Sequence, residues 1–168
     1  MPDASPFTTL SRYAVTTVSP KSALVAVSRS IEARAMTARG ETHLWVCLQD
    51  RAFNVRATRT VHDELAARGV TVHVYGCDVR ADEPRPAGIH SHDISPHHLL
   101  AREWTVLLVS PGMALAMAAR EVPTSAARAP DRDRRFEWLL SSDAADIRFA
   151  AATLPTDAFT PGTDYARA

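Results

Sequence analysis

The chain has 168 residues, 46% of them apolar, with 19 Lys+Arg against 19 Asp+Glu and only two Cys. One domain of this size buries about two-thirds of the surface its unfolded form exposes, so neither disulfides nor a structural metal are needed to hold it. The formal charge of zero excludes the basic footprint of a nucleic-acid binder or of a protein held to anionic lipid, and no window reaches the roughly 18 uninterrupted apolar residues of a membrane span.

The start, MPDASPFTTLSRY, has neither the basic nor the apolar region of a signal peptide, so a cytoplasmic location is expected. Cys47 and Cys77 form no metal-type pair and read as packing groups of a reducing compartment. Lys21 is the only lysine and Arg supplies the other basic side chains, a skew that a G- and C-rich coding sequence produces without any phosphate recognition.

Residues 1–18 carry Pro2, Pro6 and a Ser/Thr mixture without period, and are expected to form a loosely ordered lead-in. Ser19 caps a helix with Pro20 at its first position, and Leu24, Val27, Ile31, Ala35 and Ala38 share one face up to a stop at Gly40. His43 to Leu48 reads as a buried strand. A second helix opens at Asn54 or Thr58 and stops at Gly69, and Val70, Val72 and Val74 alternate with Thr71, His73 and Tyr75 in the following strand. A helix between two strands implies a crossover joining parallel neighbours.

Residues 78–98 hold three prolines and many polar groups, which predicts a loop of about 20 residues and a first place to look for a lid or ligand contact. A turn of helix is compatible with 95–101. Glu103 to Ser110 is the strongest strand signal, and Pro111-Gly112 turns it back into Met113 to Ala119, taken as an antiparallel strand although Ala, Leu and Met favour helix. A second loop over 121–133, a strand from Phe136 to Leu140 and a helix capped by Ser142 or Asp143 complete the domain. The expected fold is α/β of mixed type, a single-layer mixed sheet of about five strands with helices packed on it, in the order αβαβ-βββ-α. The domain is expected over 19–155, with a frayed tail over 156–168.

The densest polar cluster is His90, His92, Asp93, His97 and His98. Imidazoles and a carboxylate suit Zn²⁺, so His90, His92, Asp93 and His97 form a weak metal-ligand set for a small metal-dependent hydrolase. Their spacing matches no established signature, solvated loop histidines are the bland alternative, and clustered imidazoles that charge together near pH 6 are a third. The usual nucleotide, hydrolase and protease motifs are missing, so no catalytic residue is assigned. Trp45, Trp104 and Trp138 fall in predicted strands, as does Tyr75. Packing is the commoner use of such residues, but with Glu103 they could line one side of the sheet as a ligand pocket.

Five segments together resemble one family. ALVAVSRSIEARA from Ala23, CLQDRAF from Cys47, VHVYGCD from Val72, REWTVLLVSPGMALAMAARE from Arg102 and DRRFEWLLSSD from Asp133 are similar to the successive blocks of the DICT domain of diguanylate cyclases and two-component systems. Ser28 with Glu32, Glu103-Trp104, and Arg135-Phe136 with Ser142-Asp143 carry the resemblance most sharply, and it spans about Leu10 to Leu154. The chain departs from the pattern at Leu48-Gln49, where the family often has an aromatic before the glutamine, and in its His-bearing loop.

The resemblance implies a non-enzymatic sensory or regulatory domain of bacterial signal transduction, which binds a small ligand or a partner. Trp45, Tyr75, Glu103, Trp104 and Trp138 are its candidate ligand-binding residues. The stretch leaves no room for a cyclase, kinase or DNA-binding unit, so the expected output is a separate signalling or transcription-regulatory protein, or self-association. No cofactor is specified. The alternatives are the metal-dependent hydrolase and a pure protein-interaction domain.

Overall fold

The structure, a computed structural model, describes residues 4–123 and 131–156. One seven-strand mixed sheet in the order β1-β7-β6-β5-β2-β3-β4 carries four helices. The elements are α1 (Pro6–Leu10), β1 (Thr17–Pro20), α2 (Lys21–Thr37), β2 (Thr42–Asp50), α3 (Arg56–Ala67), β3 (Val70–Cys77), β4 (Ile89–Asp93), β5 (Glu103–Ser110), β6 (Met113–Glu121), β7 (Arg135–Ser141) and α4 (Ala144–Ala151). The mixed α/β class is as expected, with seven strands in place of five. Strand β2 runs parallel to β3 through the α3 crossover and antiparallel to β5. Among the described residues no helix is long and apolar enough to cross a membrane.

Two elements occupy the expected lead-in. Ser5 caps α1, accepting from the Thr8 N–H at 3.1 Å, and Phe7 and Leu10 are buried at 3% and 1% exposure. Five residues are too few to display a helical period, which is why composition suggested a loose segment. Strand β1 is exposed along most of its length and ends in Pro20, a residue tolerated only where a ladder N–H is dispensable, as on this sheet edge. The expected loop over 78–98 also contains an edge strand: β4 pairs parallel with β3, His73 facing His90 and Tyr75 facing His92. Its sequence, IHSHD, has no apolar alternation because only one edge of it is paired and one of its faces is open. The expected frayed tail lies, but for Thr156, outside the described residues, as does 124–130 of the second loop.

The MALAMAARE segment is a strand despite its helical composition. Pro111-Gly112 supplies a tight turn with Gly112 at φ +77°, and Ser110 then faces Met113 at the head of the ladder. Pairing on both edges outweighs intrinsic preference.

Each sheet face has its own core. Leu24 and Ile31 of α2 and Leu65 of α3 pack on Leu44, Val46, Val72, Val106, Leu108 and Met117. On the opposite face Phe7 and Leu10 of α1 and Ile147 and Ala150 of α4 pack on Leu107, Ala116, Ala118 and Leu139. The alanines of β6 let these short helices lie close to the sheet.

Candidate ligand cavity

Helices α2 and α3 lie on the same sheet face but touch each other little. Between them is a cavity of about 890 Å³, floored by Val46, Leu48 and Trp104 and walled by Val25, Met36 and Val61. A 3₁₀ turn, Arg51–Phe53, supplies Ala52 and Phe53 at one end. The volume is in the range of small-molecule pockets, as is a largely apolar lining with a few polar groups.

The polar groups come from α2 and from an irregularity in β2. Ser28 and Glu32 are one turn apart on α2, both buried and both lining the cavity. The ladder between β2 and β3 shifts register between Cys47 and Asp50, with Gln49 at φ +68°. Regular pleating would send Leu48 and Gln49 to opposite faces; the bulge brings both to the cavity side. Gly76 leaves room beside it, because a Cβ there would lie 2.7 Å from Val79 Cγ1 and 3.7 Å from the Gln49 carbonyl carbon.

Arg134 lies behind Gln49 and Phe53 of the cavity lining. Its Nε and Nη2 donate to the two Glu121 oxygens at 2.7 and 2.6 Å, and Nη2 also donates to Gln49 Oε1 at 2.9 Å. The Arg134 hydrogen bonds hold the Glu121 carboxyl below the usual range, against burial that pushes it up. Phe53 packs against two cations, Lys21 Nζ at 4.5 Å and the Arg134 guanidinium at 4.7 Å from its ring centre. Lys21 is itself paired with Asp131. Behind Glu32, His62 is fully buried, with Nε2 3.5 Å from Glu32 Oε1 and neither ring nitrogen hydrogen bonded.

Asp82 anchors the 3₁₀ turn from outside. It accepts from Arg51 Nε at 3.1 Å and Asn54 Nδ2 at 3.0 Å, and lies 3.0 Å from Arg59 Nη1. Burial pushes its carboxyl up, but these donors outweigh burial and leave it below its ordinary value. The segment after β3 therefore holds one end of the cavity in place. Asp82→Ala is expected to speed hydrogen exchange at 51–54 at least tenfold and to cost about 1–2 kcal/mol in urea unfolding, the loss of a partner for two partly exposed arginines and for the buried Asn54 amide.

The candidate residues named from the sequence do not share one face. Trp104 floors the cavity, edge-on to Phe136 at 5.9 Å. Trp138 aligns with it across β6 through Ala119 but lies outside the cavity lining, and its indole N–H donates to Ser19 Oγ at 2.9 Å. Trp45 and Tyr75 are on the opposite face, because Trp45 pairs with Leu107, an odd number of residues from Trp104. Glu103 is also on that face, fully buried, accepting from Ser5 Oγ at 2.6 Å, the Phe7 N–H at 3.3 Å and Arg120 Nη2 at 2.9 Å; it anchors α1.

The proposed metal set is dispersed. His90 and His92 alternate onto the Trp45 face, Asp93 accepts from the Arg80 N–H at 2.9 Å, and His97 is exposed beyond the strand. Among the described residues no three His, Cys, Asp or Glu side chains converge on one point. What strand pairing assembles instead is a row of stacked rings: Trp45–His73 at 5.8 Å, His73–His90 at 5.0 Å and Tyr75–His92 at 4.4 Å between centres. Burial pushes the Cys47 thiol up, and burial with Asp50 nearby does the same to Cys77, so neither thiol has the depressed pKa of a reactive cysteine.

Gln49, Phe53, His62 and Arg134 have no forewarning in residue chemistry. Ser28 and Glu32 do carry a signal: with Leu24, Ile31 and Ala35 they fall inside the apolar stripe of α2, where a polar side chain must be satisfied or functional.

An open mixed sheet with a helix-walled cavity on one face defines a mixed α/β domain. The family model described as DICT, sensory domain in diguanylate cyclases and two-component system, matches residues 7–122, and the chain belongs to that family. The matched stretch begins in α1, inside the segment assigned from sequence to the lead-in, and includes every cavity-lining residue named except Asp131. Strand β7 lies beyond it yet joins β1 to β6 in the sheet, and α4, also beyond it, packs on the Trp45 face. No match is found among curated proteins.

Proposed function

We propose that this sensory domain binds a small, largely apolar molecule between α2 and α3 and passes its occupancy to a separate output protein. The cavity of about 890 Å³, its lining mostly apolar with Ser28, Glu32, Gln49 and Thr58 as polar groups and Lys21, Arg29 and Asp131 as charged ones, is the observation that carries this reading. The domain performs no bond-making of its own. A ligand against Phe53 biases the 3₁₀ turn, and the Asp82 contacts couple that turn to the segment between β3 and β4. The shift extends only as far as the ligand's affinities for the two arrangements differ. The output acts in bacterial signal transduction in the cytoplasm, through a signalling or transcription-regulatory partner or a second copy, without direct contact to nucleic acid or membrane.

Native mass spectrometry of protein freshly purified from its own cells tests this reading. The expected spectrum carries an added non-covalent mass of a few hundred daltons, and Ala33→Trp, which narrows the cavity mouth, removes most of it while the circular dichroism is unchanged. An added mass that persists in Ala33→Trp would place the ligand elsewhere. One observation favours a second reading, a protein-interaction surface: the half-buried row of Trp45, His43 and His73 with the exposed His90 on the other face. Loss of partner capture in Trp45→Ala, with the retained ligand unchanged, would favour it.

A further inference from the structure

Glu32 differs from the other carboxylates around the cavity. Glu121 is clamped by Arg134, and Asp131 by Lys21 and Arg134. Glu32 is 8% exposed, lines the cavity, and has one ion-pair partner among the described residues, the His62 ring at 3.5 Å, which is too long for a good hydrogen bond. An ionised carboxylate has about four acceptor sites. Among the described residues no other side chain pairs with it, and it shares the cavity lining with Met36, Val61 and Trp104. A buried carboxylate so placed carries a desolvation cost that a donor inside the cavity would offset.

Resting on the cavity as the binding site, we infer that its ligand is an organic cation: an apolar, ring-sized body bearing a protonated nitrogen, such as a primary amine or amidine, seated on Glu32. The nitrogen supplies the charge-assisted hydrogen bonds that the carboxylate lacks, and the Trp104 ring and the aliphatic walls take the body. Two cations sit at the rim. Lys21 is neutralised by Asp131, and Arg29 is exposed to water, where its field is screened.

The test is an NMR titration of the full chain with three probes that differ only in their head group: 4-phenylbutylamine, 4-phenylbutan-1-ol and 4-phenylbutanoate. The amine is expected to bind about tenfold or more tightly than the alcohol, with the carboxylate weakest, all three shifting the amides of 25–36 and 52–61. In Glu32→Gln the amine falls to the level of the alcohol, whose own affinity changes less than twofold. Equal binding of amine and alcohol in the wild type, a tighter carboxylate, or an amine preference that survives Glu32→Gln would each overturn the inference and leave the cavity reading standing. If none of the three shifts cavity amides, the cavity reading falls and the inference with it. The amide fingerprint reports whether the variant is folded, and the wild-type ranking decides the matter should it not be.

Discussion

Arg120→Met is expected to destabilise the chain by about 3 kcal/mol, because it strips the counterion from a carboxylate with no exposure to water. Arg120 donates to Glu103 Oε1 at 2.9 Å and Thr8 Oγ1 at 2.6 Å, and its guanidinium lies 4.6 Å from the Phe7 ring centre, so one side chain joins β6, β5 and α1. Arg120 is itself 36% exposed. The asymmetry follows: without Glu103 the arginine turns to water, whereas without Arg120 the glutamate stays buried with an unbalanced charge. Adding Glu103→Leu to Arg120→Met should therefore restore more than half of the lost stability, although α1 loses the acceptor for Ser5 and the Phe7 N–H. Urea unfolding at constant slope measures both. A single-variant loss under 1 kcal/mol, or a double variant weaker than the sum of the two singles, would contradict this account of α1 docking.

The row of rings on the β2-β3-β4 half of the sheet makes stability depend on acid. Burial, then the neighbouring His90, His92 and His43, lowers the His73 pKa from 6.5 to about 4, and burial followed by His90 and Arg80 lowers that of His92 as well. An unfolded imidazole takes its proton near 6.5. Between that value and about 4 the unfolded chain binds more protons at position 73 than the folded one. The contribution is thus fully present above pH 6.5 and is lost as the pH falls towards 4. His73 is only half-buried, so solvent screening reduces the change to on the order of 1–2 kcal/mol. His73→Phe keeps a ring in the row and should flatten the decline. An NMR titration of the His73 ring protons is expected to give a midpoint near 4. A midpoint at the ordinary histidine value, or the same acid slope in His73→Phe, would show that the row imposes no such cost.

Periodicity made the interior strands legible. Val70, Val72 and Val74 alternate as β3 requires, and EWTVLLVS reads as the central β5. The Pro111-Gly112 turn corrected the helical bias of MALAMAARE, a case in which turn chemistry is more informative than propensity. The edges were not legible. Strands TVSP and IHSHD are short and polar, as edge strands can be without harm, so neither carries the alternation that betrays a core strand.

The site was legible in fragments. Alternation says which residues of one strand share a face, but which residue of the next strand joins them depends on register, and that grouped Trp45 with Trp104 wrongly. The Trp45–His73–His90 row likewise exists only through two strand pairings. The bulge at Gln49 is a departure from regular pleating, invisible to any periodic template, and it is this bulge that links the cavity to Arg134. Ser28 and Glu32 belong to the family resemblance, and it is their burial in the α2 stripe that sets them against the cavity.

Hydrogen exchange of the full chain, with and without the small-molecule fraction of a cell extract, tests most directly whether the cavity is the sensory site. Protection is expected in the inner part of α2 and the stretch from the 3₁₀ turn into α3, with a smaller change around Asp82, and no change in α4. Protection confined to β4 and the Trp45 face, with α2 and α3 exchanging at their unliganded rates, would contradict it.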